Sequence, residues 1–229
     1  MIVYGKNVAK EVIDSKKRIN KVIISDKFSD KEILSKLNGI KKEVCDSRKL
    51  DEMVNGNHQG IVLDIEDYKY SELKEVLNSN FIVMLDHLED PHNFGAIIRT
   101  CEAAGVDAIV IPKNRSVEVN STVMKVSAGA LNNVKIVEVT NLVNAIKKLK
   151  DNGFWVYGTD MDGETYTKVS YDSKTVLVIG AEGNGISKLV SENCDFMIKI
   201  PMIGKINSLN ASVAAGIVIY EVFRQRNGE

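Results

Sequence analysis

The sequence predicts an α/β fold in two parts: a small N-terminal α/β unit, and a larger C-terminal α/β domain with a mostly parallel sheet. Three observations predict it. Short apolar runs ("FIVMLD", "AIVIP", "VKIVEV", "FWVYGTD", "TVLVIGA", "FMIKIP") recur from Phe81 to Pro201. Such continuous apolar strands are the ones buried on both faces, as in parallel sheets. Stretches with helical spacing separate them, the alternation of βαβ crossovers. Before residue 67 the same alternation is shorter, and it ends in a polar, acidic stretch.

Each element follows from its local pattern. "KVIIS" (21–25), "KKEVC" (41–45) and "GIVLDI" (60–65) read as strands, and "KEILSKL" (31–37) as a helix. Residues 1–67 are the expected first domain, 68–79 a polar linker and 80–229 the second domain. In the second domain a strand over 81–86 is followed by a helix from Asn93, a capable N-cap, to Ala104. Then come the strand "AIVIP", a helix on "STVMKV", the strand "VKIVEV" and a helix from Asn141 to Lys150. The strands "FWVYGTD" and "TVLVIGA", a helix after Gly185, the strand "FMIKIP" and a helix from about Asn210 to Gln225 complete the chain.

Composition narrows the function classes. No apolar run approaches the roughly 20 residues of a membrane span. The start "MIVYGKNVAKEV" has no basic-then-apolar leader pattern. Cys45, Cys101 and Cys194 are far apart and in no CxxC spacing, as expected of reduced structural thiols. The expectation is a cytoplasmic protein. With 30 basic and 31 acidic residues, net charge gives no argument for a nucleic-acid partner. Its distribution is uneven: residues 1–50 carry 13 Lys/Arg against 7 Asp/Glu, and residues 51–100 carry 3 against 10. Lys6, Lys10, Lys16, Lys17, Arg18 and Lys21 could track phosphates, although charge alone favours a solvated lysine-rich surface.

"DHLEDPHNFGAIIRT" (86–100) holds the first candidate site. Asp86, His87, Glu89, Asp90 and His92 could each ligate a metal, but they are consecutive turn residues that point apart, and no metal is expected. Phe94, Ile97, Ile98, Cys101 and Ala104 form an apolar stripe at helical spacing, with Arg99 off it. Arg99 stands one turn above Gly95 and could lean back toward the free N–H groups of the first turn, a seat for phosphate. It could equally be an exposed arginine paired with Glu102, and both roles stay open.

"TVLVIGAEGNGIS" (175–187) runs a strand into Gly180, Glu182, Gly183 and Gly185. Glycines there let a ligand approach the backbone. Their GxxGxG order and the missing acid after the next strand disfavour a dinucleotide site and a Rossmann-like dehydrogenase. "IPMIGKINSLNASVAAG" (200–216) places Ser208, Asn210 and Ser212 at a strand-to-helix corner. Ala211, Ala214, Ala215 and Gly216 make that helix thin enough for close packing.

Together "NFGAIIRT", "IGAEGNGIS" and "IPMIGKINSLNASVA" resemble the three motifs of SpoU-type RNA ribose 2′-O-methyltransferases, in the knotted SPOUT superfamily. "YGKNVAKEVI" and "NHQGIVLDI" resemble the substrate-binding domain of the subgroup that methylates a guanosine of large-subunit (23S) ribosomal RNA. The resemblance implies a trefoil knot, a homodimer with active sites at the subunit interface, and S-adenosylmethionine as methyl donor. It implies donor contacts from Thr159, Gly180, Gly185, Ile200 and Leu209. It also implies a catalytic set of Asn93, Arg99, Glu182, Ser208 and Asn210. The family's proposed base corresponds to Arg99, yet a guanidinium stays protonated; a clamp on the phosphate beside the target ribose suits it better. A tRNA ribose methyltransferase and a non-catalytic RNA-binding protein of the same fold are the alternatives. Phe94, where leucine or valine is commoner, is a departure from the motifs.

Overall fold

The structure is a computed structural model that describes residues 1–171, 173–181, 183, 185–205 and 208–228. The chain divides into two compact units, one of residues 1–69 with 119–129, the other of 70–118 with 130–229.

In the first unit the strands β1 (Ile2–Tyr4), β2 (Ile19–Ser25), β3 (Lys42–Cys45) and β4 (Ile61–Ile65) form a sheet in the order β1-β4-β2-β3. Only β2 and β3 run parallel. The helices are α1 (Lys6–Asp14), α2 (Lys31–Lys36) and α3 (Ser47–Met53). Asp30 and Asp46 cap α2 and α3 by accepting from Ile33 N–H and Arg48 N–H, the preferred chemistry at helix starts. Helix α1, with Val8, Ala9 and Val12 buried, and helix α3 were not anticipated from the sequence. His58 is a fold-holding residue here, with Nε2 against Asp51 and Nδ1 accepting from Gly60 N–H. Helix α5 (Ser121–Ser127), capped by Asn120, packs on α1 and β1 of this unit.

The second unit carries a six-stranded sheet of β5 (Phe81–Asp86), β6 (Ala108–Pro112), β7 (Lys135–Val139), β8 (Trp155–Thr165), β9 (Thr175–Gly180) and β10 (Phe196–Lys199). Every pairing is parallel and the order is β10-β8-β9-β5-β6-β7. The central strand β5 is buried at all six positions, as its unbroken apolar run requires. The connecting helices are α4 (Pro91–Ala103), α6 (Leu142–Lys150), the single turn α7 (Lys188–Ser191) and α8 (Ala211–Asn227). Of the stretch expected as a linker, residues from 70 on fall in this unit: Ser71 bridges Val137, and a 3-10 turn over Leu73–Val76 packs on β7.

Helix α4 starts earlier than the sequence suggested. Pro91 fills the first helical position and Asp90, not Asn93, is the N-cap; its carboxylate accepts from His92 N–H and Asn93 N–H. Proline is preorganised for that first position. The free N–H groups meant for a phosphate are thus already taken by a carboxylate. With the start at residue 91, the Arg99 backbone lies two turns along, roughly 12 Å from Pro91 at 1.5 Å per residue. The phosphate seat at this helix start is therefore overturned. The apolar stripe stands: Phe94, Ile97, Ile98 and Cys101 are fully buried.

Candidate active site

The order of strands reverses between β5 and β9, and α/β sheets bind ligands at the carboxyl ends of strands around such a point. A cleft of about 610 Å³ opens beside that point, at the carboxyl ends of β8, β9 and β10. One feature of β8 and β10 shapes it. Met197 lies opposite Gly158, yet the next residue, Ile198, lies opposite Glu164. The pairing skips residues 159–163, and three of them, Thr159, Asp160 and Met161, line the cleft. Gly163 permits the skip: a Cβ on it would stand 2.5 Å from the Met197 carbonyl group.

The wall after β9 is a tight turn. Gly185 N–H donates to Ala181 O at 3.0 Å, and the two residues form an antiparallel bridge. The turn folds back on Gly180 so closely that a Cβ there would lie 2.1 Å from the Gly185 carbonyl carbon. Gly185 itself has φ of 64°, a conformation that suits glycine.

Five residues singled out as donor contacts, Thr159, Gly180, Gly185, Ile200 and Leu209, all line this cleft, and Ser208 joins them. Positions up to 50 apart in sequence are thus brought to one surface. The Thr159 hydroxyl donates to Val178 O at 3.2 Å, so it serves as wall. Asp160, Met161, Lys199 and Met202 also line the cleft and escaped sequence reasoning; the skipped pairing in β8 accounts for the first two. Ala211 and Ala214, seen earlier as a thin helix face, line it too.

Asn93 is buried, and its Oδ1 accepts from Asn210 Nδ2 at 3.0 Å. Asn210 in turn caps α8, its Oδ1 accepting from Ser212 N–H and Val213 N–H. This hydrogen bond ties two motifs 117 residues apart, and α4 packs on α8 beside it. Arg99 is exposed and has no hydrogen-bond or ion-pair partner among the described residues. Its suggested partner Glu102 instead accepts from Asn133 Nδ2. Glu182 lies outside the described residues.

A second cleft, of about 580 Å³, is lined by residues 86–90, Arg115, Ala181, Gly185 and Ser187. Asp86 is 1% exposed and is held by His87 Nδ1 and by Ser187 N–H. Asp90 caps α4, which leaves Glu89 and Arg115 as side chains without a partner among the described residues. No group of three or more His, Cys, Asp or Glu among the described residues is arranged to hold a metal. The three thiols are unpaired. Burial pushes Cys194 up to about 12 and Cys101 higher still, so both are neutral packing groups. No helix among the described residues is long and apolar enough to cross a membrane.

Fold and cleft define the class: an α/β protein with a ligand cleft at the carboxyl ends of a parallel sheet, joined to a small α/β unit. Comparison with known proteins gives the family. The SpoU rRNA Methylase family model matches residues 80–220, and a model described as RNA 2′-O ribose methyltransferase substrate binding matches residues 2–71. A Staphylococcus epidermidis protein named as a TrmH family tRNA/rRNA methyltransferase is 43% identical over 99% of this chain and 96% of its own length. The AdoMet-bound rRNA methyltransferase from Sinorhizobium meliloti is similar in structure, with a TM-score of 0.82 and 25% identity over 97% of this chain and 86% of that one. The SpoU methyltransferase AviRb from Streptomyces viridochromogenes, in complex with AdoMet, shares the fold at a TM-score of 0.86 and 22% identity, over 99% and 90%. The chain belongs to the SpoU family of RNA methyltransferases.

Proposed function

We propose that the protein methylates the ribose 2′-hydroxyl of a guanosine in large-subunit (23S) ribosomal RNA, with S-adenosylmethionine as donor. The observation that carries this is the convergence of Thr159, Gly180, Gly185, Ile200 and Leu209 on one cleft. The match of residues 2–71 to a 2′-O ribose methyltransferase substrate-binding model supports ribose as the target.

The cleft fits such a donor. Its volume falls in the range of small-molecule sites. Ile179, Ile198, Met202 and Leu209 offer apolar walls for a flat base, the Gly180 turn offers backbone groups, and Asp160 and Lys199 bring one charge of each sign. The bound donor supplies an electrophilic methyl group. The chain's own task is positioning, which can account for much of a methyl transfer. Asn93 and Asn210 hold α4 against the start of α8, fixing the corner where donor and RNA meet. Ser208 shapes the loop, Glu182 orients the sugar, and Arg99, exposed and unpartnered among the described residues, clamps the phosphate beside the target. A guanidinium suits that role through its planar fork.

The first unit supplies RNA contacts away from the target, in keeping with its family match. As in the resemblance, the working protein is a cytoplasmic homodimer with a trefoil knot built from the second and third motifs. Transfer RNA is the rival substrate. Mapping 2′-O-methylation in RNA from cells with and without the gene tests the assignment: a methylated guanosine lost from large-subunit RNA supports it, and a loss confined to transfer RNA refutes it.

A further inference from the structure

The second cleft contains a group that positioning alone leaves unused. His87 follows β5 with φ of 59°, a left-handed conformation uncommon outside glycine. Its Nδ1 meets Asp86 Oδ1, and the other oxygen of Asp86 accepts from Ser187 N–H at 2.6 Å. Both oxygens of a carboxylate that is 1% exposed are thereby spent on fixing one ring. An imidazole that donates from Nδ1 to a carboxylate presents Nε2 as an acceptor. Nε2 has no partner among the described residues, and the side chain is 35% exposed, lining the cleft.

Its place matters as much as its state. Asp86 pairs in register with Gly180, so His87 and Ala181 leave neighbouring strands side by side. Ala181 and Gly185 line both clefts, so the cleft that holds His87 adjoins the donor cleft. Arg99 stays protonated, and Asp86 and Asp90 already accept hydrogen bonds within the fold; of the two acceptors that remain in this cleft, His87 and Glu89, only the His87 ring is held in place by a partner among the described residues. Imidazole is the side chain that changes charge nearest neutral pH.

We propose that His87 is the proton acceptor for ribose methylation, with Asp86 as its positioning residue. The assignment rests on the methyl-transfer reading. The O–H bond of the target 2′-hydroxyl breaks and its proton passes to His87 Nε2. The hydroxyl oxygen bonds to the methyl carbon, whose bond to sulfur breaks with the electron pair left on sulfur. The Asp86 carboxylate offsets the charge of the imidazolium, which then releases its proton to water. The charged groups facing the ring are Asp86 at the end of β5, Glu89 and Asp90 on the turn into α4, and Arg115 on the loop after β6.

The test is His87→Gly, which the left-handed backbone accepts. Methyl transfer should fall by about a hundredfold or more, donor affinity by calorimetry should stay within about twofold, and added imidazole should restore the rate in proportion to its concentration. The inflection at which the wild-type rate levels with rising pH should vanish in the variant. His87→Asn, which fills the space, should be equally slow and resist rescue. A readout without turnover is the ¹⁵N resonance of His87 Nε2: an RNA fragment carrying the position methylated by the wild type should shift it, and the same fragment with a 2′-deoxy target should not. A His87→Gly enzyme within about threefold of wild type, or slow but unrescued with its inflection intact, overturns the assignment. A wild type that methylates no ribose sinks the parent reading, and the His87 role with it. An active wild type beside an active variant sinks the His87 role alone.

Discussion

In the first unit Lys6, Lys10 and Lys21 lie within ion-pair distance of Asp30, Glu32 and Glu43. In the second unit Arg99 and Arg115 are exposed with no partner among the described residues. A charge count registers the first group as a basic face and barely notices the second. The structure reverses that weighting. Half of the six cations that suggested a phosphate track are already satisfied, and Lys17 lies over the ring of Tyr68, its ammonium lowered by burial. Lys16 and Arg18 are the two of the six that remain exposed without an ion pair among the described residues. Exposed pairs stabilise a fold by only about 0–1 kcal/mol, so their main effect is to spend charge that RNA would otherwise use. A single unspent cation beside a cleft is a better pointer to function than an excess of thirteen over seven along the chain.

Substitutions can break this contrast. Arg99→Ala should cost roughly 10²–10³ in methyl-transfer rate, the loss expected when one preorganised donor is removed, with donor affinity nearly unchanged. Arg99→Lys should recover little, for want of the planar fork. A parallel fall in donor binding by calorimetry would contradict that division of labour. Arg115→Ala should lower RNA affinity about tenfold, the value of one charge-assisted contact, and filter binding at fixed salt checks it; unchanged affinity would remove Arg115 from the interface.

Smaller effects sharpen the contrast. The pair Lys16→Ala, Arg18→Ala should weaken RNA binding severalfold and flatten the salt dependence by up to about 2 units of slope. Lys10→Ala with Lys21→Ala should do distinctly less, and equal losses from the two pairs would mean that the ion pairs open on binding. The smallest change concerns Glu11, whose Oε1 is buried without a hydrogen-bond partner among the described residues. Burial raises its carboxyl above the usual range, against the opposing pull of Lys17. A raised carboxyl binds its proton more tightly when folded, so stability falls as pH climbs from the ordinary carboxylate value through the raised one. Glu11→Gln should therefore stabilise by about 1 kcal/mol at neutral pH and by nothing in acid, read as a melting shift of a few degrees that disappears below the ordinary carboxylate range.

Much of this was legible in the sequence for a physical reason. Buried parallel strands must be apolar throughout, so β5, β6 and β9 announce themselves, and the glycines of the β9 turn mark a backbone folded tightly on itself. Other features depend on partners distant in sequence. Asp90 and Asn93 are both good caps, and Pro91 was the overlooked sign that the helix starts at the earlier one. Helix α5 belongs with the first unit although its sequence lies within the second, and periodicity cannot say against which sheet a helix packs. The skip in β8 that brings Thr159 to Met161 into the cleft leaves no periodic trace. Asp86 and His87, weighed first as metal ligands, turn out to be a carboxylate holding a ring.

The central claim is methyl transfer to a ribose of large-subunit RNA, and one measurement tests it most directly. The protein is incubated with isotopically labelled S-adenosylmethionine and undermethylated large-subunit ribosomal RNA, the RNA is digested to nucleosides, and the products are analysed by mass. Label recovered as 2′-O-methylguanosine is the predicted result. Label on a base, or incorporated only when transfer RNA replaces ribosomal RNA, would contradict it.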